Sequence, residues 1–372
     1  MKVLYDHTIF TNQKYGGISR YYTELINEFN SISIIKPSVS LLLSNNYYLQ
    51  NSNSVHSVNF FPDRYFKGRD KTIIAVNSLY TKYRVKEQNY DLFHPTYYDI
   101  SFLDLIGDKP FVLTVHDLIH EKFKELFSKN DKISFYKNIL IEKSSRIIAI
   151  SENTKRDIID MFKVDSKKIV VIYHGNSMTK YRGERIKLKV PKEYILFVGS
   201  RGDYKNFTLF IKAFSLLFKE NKNISIVCAG GKAFLYEELE LFKELEIEGK
   251  VYQFTVDDSD LAYLYSRAIF FVFPSLYEGF GIPVLEAFAS QCPLVCSNTS
   301  SLPEIAQDGA EYFNPYSKED IYKSMKKIYE NPKRRELLVS NGLKRLENFS
   351  WEKTAKQTLE VYQDIVDDKK ES

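Results

Sequence analysis

Two glutamates flank a glycine-containing segment whose residue types suit a ligand rich in hydroxyl groups. The segment runs from Pro274 to Glu286, and three candidate ligand-lining residues follow its first glutamate, Glu278: Gly279, Phe280 and Gly281. Pro283 suits the first turn of a helix, where its missing N–H would have no partner anyway. Helix starts favour phosphate, because their amides are unpaired. The two glutamates are then expected to bind hydroxyl groups, and we predict a sugar beside Glu278 and a ribose beside Glu286.

Two cations follow another predicted strand, in the segment from Gly199 to Asn206. Arg201 offers a planar fork of donors and Lys205 a point charge, and fixed cations of this kind stabilise the charge that develops on a departing diphosphate. A solvated pair of surface cations is the alternative interpretation. We find no Asp-x-Asp motif at a predicted strand end. Residues 257–260 are better explained as a helix N-cap region, and we predict no catalytic metal.

The elements that must position these side chains alternate between strand and helix, which indicates parallel sheets. Near the start, a strand over residues 2–5 precedes Gly16 and Gly17, which open a helix with an apolar 3.6-residue period. We predict a strand over Val39–Leu43 and a loop over residues 45–71. Periodicity is lost over residues 175–193, a predicted linker, and the alternation then begins again. In such sheets ligands bind at the carboxyl ends of strands.

The seven residues between Glu278 and Glu286 make the segment resemble the E-x7-E motif of the retaining glycosyltransferases of family 4. The resemblance extends to other segments: Gly16-Gly17-Ile18, Val115-His116-Asp117, Ser151–Thr154, Gly199–Arg201 with Lys205-Asn206, and Leu302–Ile305. It implies an α/β chain with the GT-B fold, in which two Rossmann-like, doubly wound domains face each other across a cleft. The implied domains are an acceptor-binding domain at 1–185, a nucleotide-sugar-binding domain at 186–348, and a last helix at 349–372 that crosses back.

Site roles are also implied by this resemblance. The expected nucleotide-sugar-binding residues are Gly16, Gly17, Arg201, Lys205, Gly279, Phe280, Gly281 and Glu286. Glu278 would steady the transferred sugar, and His116 would donate a hydrogen bond to a sugar hydroxyl, although a histidine at a strand end is often structural. The donor would be a nucleoside-diphosphate hexose, with GDP-mannose favoured by likeness to one branch, and no other cofactor is expected. Retention of the configuration at the anomeric carbon is better explained by front-face attack of the acceptor than by a covalent enzyme intermediate.

Composition limits the remaining possibilities. With 372 residues and 44% hydrophobic content, the chain can form two domains with separate cores. The cysteines, Cys228, Cys292 and Cys296, lack metal-ligand spacing, so we expect buried thiols without a disulfide. No run of apolar residues has the length of a signal peptide or a membrane span, which predicts a cytoplasmic protein. Residues 1–190 carry 29 Lys and Arg against 20 Asp and Glu, yet no nucleic-acid-binding signature accompanies this excess.

Two basic and aromatic stretches in the first half could adsorb to an anionic membrane, residues 63–86 and residues 122–143. Solvated faces with aromatic residues in the core are the alternative. We therefore expect as partners a nucleotide sugar, a glycan or lipid-linked acceptor and, at the inner face of the cell membrane, anionic lipid. A nucleotide-sugar 2-epimerase of the same fold and a non-catalytic binding subunit are the other hypotheses for function.

Overall fold

The computed structural model describes residues 1–50, 54–178 and 189–371. Contacts divide the chain into two compact units: Met1–Gly175 and Ser350–Ser372 form unit 1, and Asn176–Phe349 form unit 2. The predicted domain boundary, between residues 185 and 186, lies outside the described residues. The same is true of residues 179–188 of the predicted linker.

Unit 1 is built on short parallel strands. They are β1 (Lys2–Tyr5), β2 (Lys36–Val39), β3 (Leu92–His94), β4 (Val112–Val115), β5 (Arg146–Ala149) and β6 (Ile169–Val171). Its first helices are α1 (Thr8–Asn12), α2 (Gly17–Asn30), α3 (Tyr47–Gln50), α4 (Arg69–Lys86), α5 (Ile119–Lys122), α6 (Ile133–Lys143) and α7 (Glu152–Phe162). The strands form two sheets, β2-β1-β3 and β4-β5-β6, which one parallel bridge between Phe93 and Phe111 connects.

The helix predicted after Gly16 is confirmed, because the apolar face of α2 lies in the core of unit 1. The predicted strand at Val39–Leu43 is wrong in position. The strand β2 ends at Val39 because its partner β1 ends at Tyr5. Beyond that point Asn77 Oδ1 accepts from the amides of residues 42 and 43, each at 3.0 Å. The predicted loop over residues 45–71 also contains α3 and the start of α4.

Unit 2 repeats the alternation of strands and helices. Its strands are β7 (Tyr194–Val198), β8 (Ser225–Ala229), β9 (Val251–Phe254), β10 (Phe270–Phe273), β11 (Leu294–Ser297) and β12 (Ala310–Phe313). Its helices are α8 (Phe207–Glu220), α9 (Tyr236–Glu244), α10 (Asp258–Arg267), α11 (Ile282–Ala289), α12 (Leu302–Ala306), α13 (Lys318–Glu330) and α14 (Pro332–Leu346). The N-cap predicted at residues 257–260 is confirmed, since Asp257 accepts from the amide of Asp260 at 2.8 Å.

The strand order of unit 2 is β12-β11-β10-β7-β8-β9, and all neighbours are parallel. From β7 the chain adds strands on one side, and from β10 it adds them on the other. The order therefore reverses between β7 and β10, which pair at Phe270 and Ile195. At such a reversal the loops that follow the two strands diverge and leave a crevice for ligand.

The last helix, α15 (Trp351–Glu371), packs on unit 1. The Tyr362 hydroxyl lies 2.9 Å from the Tyr5 hydroxyl and 2.5 Å from Nδ1 of His94. Because all three side chains are buried, these hydrogen bonds fix the position of the helix. Among the described residues, no helix combines the length and apolar character needed to cross a membrane.

Candidate active site

The loops after β7 and β10 bring together a predicted cation and a predicted carboxylate. Lys205 ends a 3-10 turn after β7, and its Nζ lies 2.6 Å from Oε1 of Glu278, in the loop after β10. The side chains are 15% and 12% exposed, so water screens the pair only in part. The amide of Leu276 donates to the carbonyl of Tyr204 at 2.8 Å and fixes the two loops to each other. This pair lies where the strand order reverses.

Two serines that no sequence motif singled out hold the loop that carries Glu278 in place. The hydroxyl of Ser300 accepts from the Glu278 amide at 3.0 Å. The hydroxyl of Ser301 contacts the carbonyls of Glu278 and Phe280, at 2.9 Å each. Phe280 is buried, with its ring edge to face against Phe349. The carboxylate is therefore presented on a loop with little freedom to move.

The helix α11 begins where the glycines and the proline predicted it. Gly281 precedes the helix with φ of 100°, and a Cβ there would lie 2.8 Å from Cδ2 of Leu302. Glycine is required for both reasons. Glu286, on the second turn of α11, is 6% exposed, and its Oε2 accepts from the Tyr265 hydroxyl at 3.2 Å. A carboxylate oriented in this way can accept further hydrogen bonds from a ligand.

Arg201, the other cation predicted to bind the diphosphate, is paired with the carboxylate of Glu238. Its Nε donates to Oε1 of Glu238 at 2.6 Å, and its Nη2 lies 3.2 Å from Oε2 of the same carboxylate. Nη2 also donates to the carbonyls of Lys232 and Ala233, at 2.7 and 3.1 Å. The side chain is only 6% exposed. Arg201 therefore joins the turn after β7 to the loop after β8 and to the start of α9.

One nitrogen of Arg201 is left for another contact. Nη1 is buried and has no hydrogen-bond partner among residues that the structure describes. It lies beside Gly231, where φ is 71° and a Cβ would come within 2.9 Å of Nη1. Glu238 was not among the predicted site residues. Its Oε2 accepts from the Leu235 amide at 2.7 Å, which is the role that a glutamate at the third position of a helix plays in a capping box.

In unit 1 the predicted glycines lie at the start of α2. Gly16 is the N-cap, in extended backbone, and Gly17 is the first helical residue. Oε1 of Gln13 accepts from the amide of Ser19 at 3.3 Å, and the Ser19 hydroxyl donates to the carbonyl of Gly16 at 3.0 Å. The side chain of Gln13 thus occupies part of this helix start.

His116 packs under the same helix, with its ring 5.3 Å from that of Tyr21 and parallel to that of His174 at 6.1 Å. Burial lowers the pKa of His116 well below its usual value, and nearby His174, His94 and Lys137 lower it further. The imidazole is therefore neutral at physiological pH. Its Nε2 is buried and finds no hydrogen-bond partner in the described part of the chain. A neutral ring of this kind can donate or accept one hydrogen bond.

The described carboxylates of the site do not form a cluster that could bind a metal ion. Within residues 1–50, 54–178 and 189–371, no three His, Cys, Asp or Glu side chains lie close enough together to hold an ion.

The three cysteines are free and buried, as predicted, and burial raises the pKa of each thiol.

Two family models match the chain: Glycosyltransferase Family 4 over residues 15–177, and Glycosyl transferases group 1 over residues 183–345. The chain is 32% identical over 221 residues to the O-antigen chain mannosyltransferase RfbU of Salmonella typhimurium, covering 59% of this chain and 61% of that relative. It is 29% identical over 265 residues to O-antigen chain mannosyltransferase B of Escherichia coli, covering 68% and 69%. The match thus spans less than two thirds of the Salmonella relative.

Among solved structures, Anabaena HepE in complex with UDP and glucose aligns with a TM-score of 0.73 at 16% identity, covering 97% of this chain and 99% of that one. The chain has two α/β units with parallel sheets. Together with this likeness, they show that it has the GT-B fold. The chain belongs to the glycosyltransferases in which a family 4 domain is followed by a group 1 domain.

The contacts of Arg201 generate a stability prediction. Arg201→Ala should lower the free energy of unfolding of unit 2 by about 3 kcal/mol, because it leaves the carboxylate of Glu238 largely buried without its cation. Glu238→Gln should cost less, since one acceptor oxygen remains. Urea unfolding measures both, with exposed Lys219→Ala as the control. An Arg201→Ala protein that unfolds at the urea midpoint of the parent would show that this ion pair is not structural.

Proposed function

We propose that the chain is a retaining glycosyltransferase that moves a hexose from a nucleoside-diphosphate sugar to a glycan or lipid-linked acceptor in surface polysaccharide biosynthesis. The observation that carries the proposal is the Lys205–Glu278 pair, 2.6 Å apart at the strand reversal of unit 2. A cation for the diphosphate and a carboxylate for the sugar then stand side by side. Glu286 and the start of α11 supply acceptors and amides for the remainder of the nucleotide.

Mannose is the sugar we propose, with GDP-mannose as donor. The support comes from the names of two relatives, both O-antigen chain mannosyltransferases. The HepE structure, in contrast, contains UDP. The proposed reaction uses no metal, since Lys205 and the start of α11 stabilise the diphosphate.

The reaction proposed for this site is a front-face displacement. The bond between the anomeric carbon and the diphosphate oxygen breaks, the acceptor oxygen bonds to the same face of that carbon, and the departing phosphate takes the acceptor proton. Glu278, whose Oε1 is held by Lys205, steadies the positive charge that develops on the sugar ring. A carboxylate held in an ion pair is a poorer nucleophile than a free one, which supports this route over a covalent intermediate.

Nucleotide binding tests the donor and the absence of a metal together. GDP should raise the melting temperature more than UDP, ADP or dTDP, because a ligand that binds only the folded state stabilises it. Lys205→Ala should weaken GDP binding about tenfold or more, as expected when a charged contact worth at least about 1.4 kcal/mol is lost. EDTA should change neither the GDP-induced shift nor the transfer rate. A rate that EDTA abolishes and Mn²⁺ or Mg²⁺ restores would contradict the metal-free reaction.

Glu278→Gln tests the catalytic role directly. Turnover of GDP-mannose should fall about 100-fold or more, because the charge beside the developing cation is lost while size is kept. GDP affinity should stay equal or rise, since the carboxylate that now engages Lys205 is removed. Exposed Glu237→Gln, also in unit 2, is the matched control. Turnover within about threefold of the parent, less than 1 kcal/mol, would remove Glu278 from the catalytic residues.

Membrane contact is a further part of the proposal, and its support is the surface of residues 58–86. This segment concentrates large apolar side chains that are exposed: Val58, Phe61, Tyr65, Phe66, Ile74, Leu79 and Tyr83. Tyr65 is 73% exposed and Leu79 is 69% exposed. Exposed cations accompany them: Arg64, Lys67, Lys71, Lys82 and Lys86. Aromatic and basic residues together suit the interface of an anionic bilayer at the cytoplasmic face.

The second stretch, residues 122–143, is a poorer candidate than its sequence indicated. Lys137 is completely buried, and its Nζ donates to Oε2 of Glu121 at 2.8 Å. Phe127 stacks on His120 with 3.9 Å between ring centroids. These side chains are committed to contacts within unit 1, so we propose the surface of residues 58–86 as the membrane contact.

Vesicle binding tests this surface. The full chain should bind vesicles rich in anionic lipid and be released by salt, because each basic residue near the surface contributes about 1 kcal/mol within a Debye length. Replacing Arg64, Lys67 and Lys71 by Glu should abolish binding and leave the GDP-induced thermal shift unchanged. The matched control is the reversal of three exposed lysines of unit 2: Lys212, Lys219 and Lys333. Failure of the parent to bind at low salt would leave the basic surface as a solvated face.

A further inference from the structure

Tyr265 is a buried tyrosine of unit 2 whose hydroxyl reaches the carboxylate predicted to bind the ribose. It lies on the buried face of α10 and has no exposed surface. Its hydroxyl lies 3.2 Å from Oε2 of Glu286, on α11, and 3.5 Å from the carbonyl of Pro283. A buried phenol needs a hydrogen-bond acceptor, and the carboxylate is the nearer of the two. The hydroxyl of Tyr265 therefore donates to Glu286.

The ring of Tyr265 is held by contacts that do not involve Glu286. It packs edge to face against Phe271 of β10, with 5.2 Å between ring centroids and an angle of 84° between the planes. The preceding residue, Leu264, accepts at its carbonyl from the hydroxyl of Tyr194 at 2.8 Å, which connects the end of α10 to β7. Because the core around the ring is closely packed, the hydroxyl has a fixed position.

A fixed donor determines how the carboxylate of Glu286 is oriented. The terminal torsion of a glutamate side chain has a broad energy minimum, so a carboxylate without a fixed partner turns readily. The two oxygens of a carboxylate can accept about four hydrogen bonds in all, so the bond from Tyr265 does not exhaust them. Two neighbouring ribose hydroxyls could both donate to one carboxylate, and they bind it more tightly if its plane is oriented before they arrive.

We propose that Tyr265 is a positioning residue that orients Glu286 toward the two ribose hydroxyls, and that it thereby makes the site selective for ribonucleotides over nucleotides that lack these hydroxyls. The proposal rests on the function proposed above, because it requires that a nucleoside diphosphate bind to unit 2. It adds to that function a residue of α10 that lies outside the segment from Pro274 to Glu286.

Isothermal titration calorimetry on the full chain tests this role, with GDP and UDP as ligands and their 2′,3′-dideoxy counterparts for comparison. The parent should bind the better ribonucleotide about tenfold more tightly than its dideoxy counterpart, equivalent to about 1.4 kcal/mol. Tyr265→Phe should reduce this ratio to about threefold or less, which is under 1 kcal/mol. It should weaken only the ribonucleotide, because the ring is kept and the hydroxyl alone is lost.

Tyr263→Phe is the matched control and should keep the ratio of the parent. Tyr263 lies on the same helix, and residues two apart on a helix do not share a face. Glu286→Ala gives a second measurement. In that background, adding Tyr265→Phe should change the ribonucleotide affinity no further, because the two side chains act through one contact.

The outcomes separate this role from the proposed function. An unchanged ratio in Tyr265→Phe, an equal weakening of both nucleotides, or a parent that binds both alike overturns the positioning role and leaves the proposed function standing. A parent that binds neither GDP nor UDP overturns the proposed function, and the positioning role with it.

Discussion

The reversal of strand order between β7 and β10 is the constraint on which the candidate site depends. These strands are neighbours in the sheet, although 74 residues lie between the paired Ile195 and Phe270 along the chain. Their carboxyl ends open side by side, and the loops that follow them carry Lys205 and Glu278, whose charges are of opposite sign. The 2.6 Å contact between Lys205 and Glu278 follows from that topology.

The Lys205–Glu278 pair also affects how a ligand can bind. The side chain of Lys205 is only 15% exposed beside its carboxylate, so a diphosphate that reaches it finds a cation whose position is fixed before binding. In the proposed reaction the diphosphate shares this ammonium with Glu278, whose carboxylate stays in the ion pair as the sugar approaches. Ser300 and Ser301 keep the loop in place during the exchange, because they bond to its backbone and not to its side chains.

Local and long-range features of this chain differ in how far the sequence predicts them. The N-cap at Asp257 and the helix start at Gly281 were predictable, since each depends on residues within one turn. The partner of Arg201 was not predictable, because Glu238 lies 37 residues further along the chain and contacts Arg201 only once the sheet has formed. The displaced strand β2 has the same origin: apolar residues up to 43 suited a strand, but β1 offered no further backbone to pair with.

The buried histidines of unit 1 bear on where the acceptor proton can go. Burial lowers the pKa of His94 and of His174 to about 3, and it lowers that of His116 well below the usual value. A general base works best with a pKa near the operating pH, so none of these three rings is suited to take a proton from an acceptor hydroxyl at neutral pH. His116 is then limited to a neutral hydrogen bond. The proposed route, in which the departing phosphate takes the proton, needs no base from this unit.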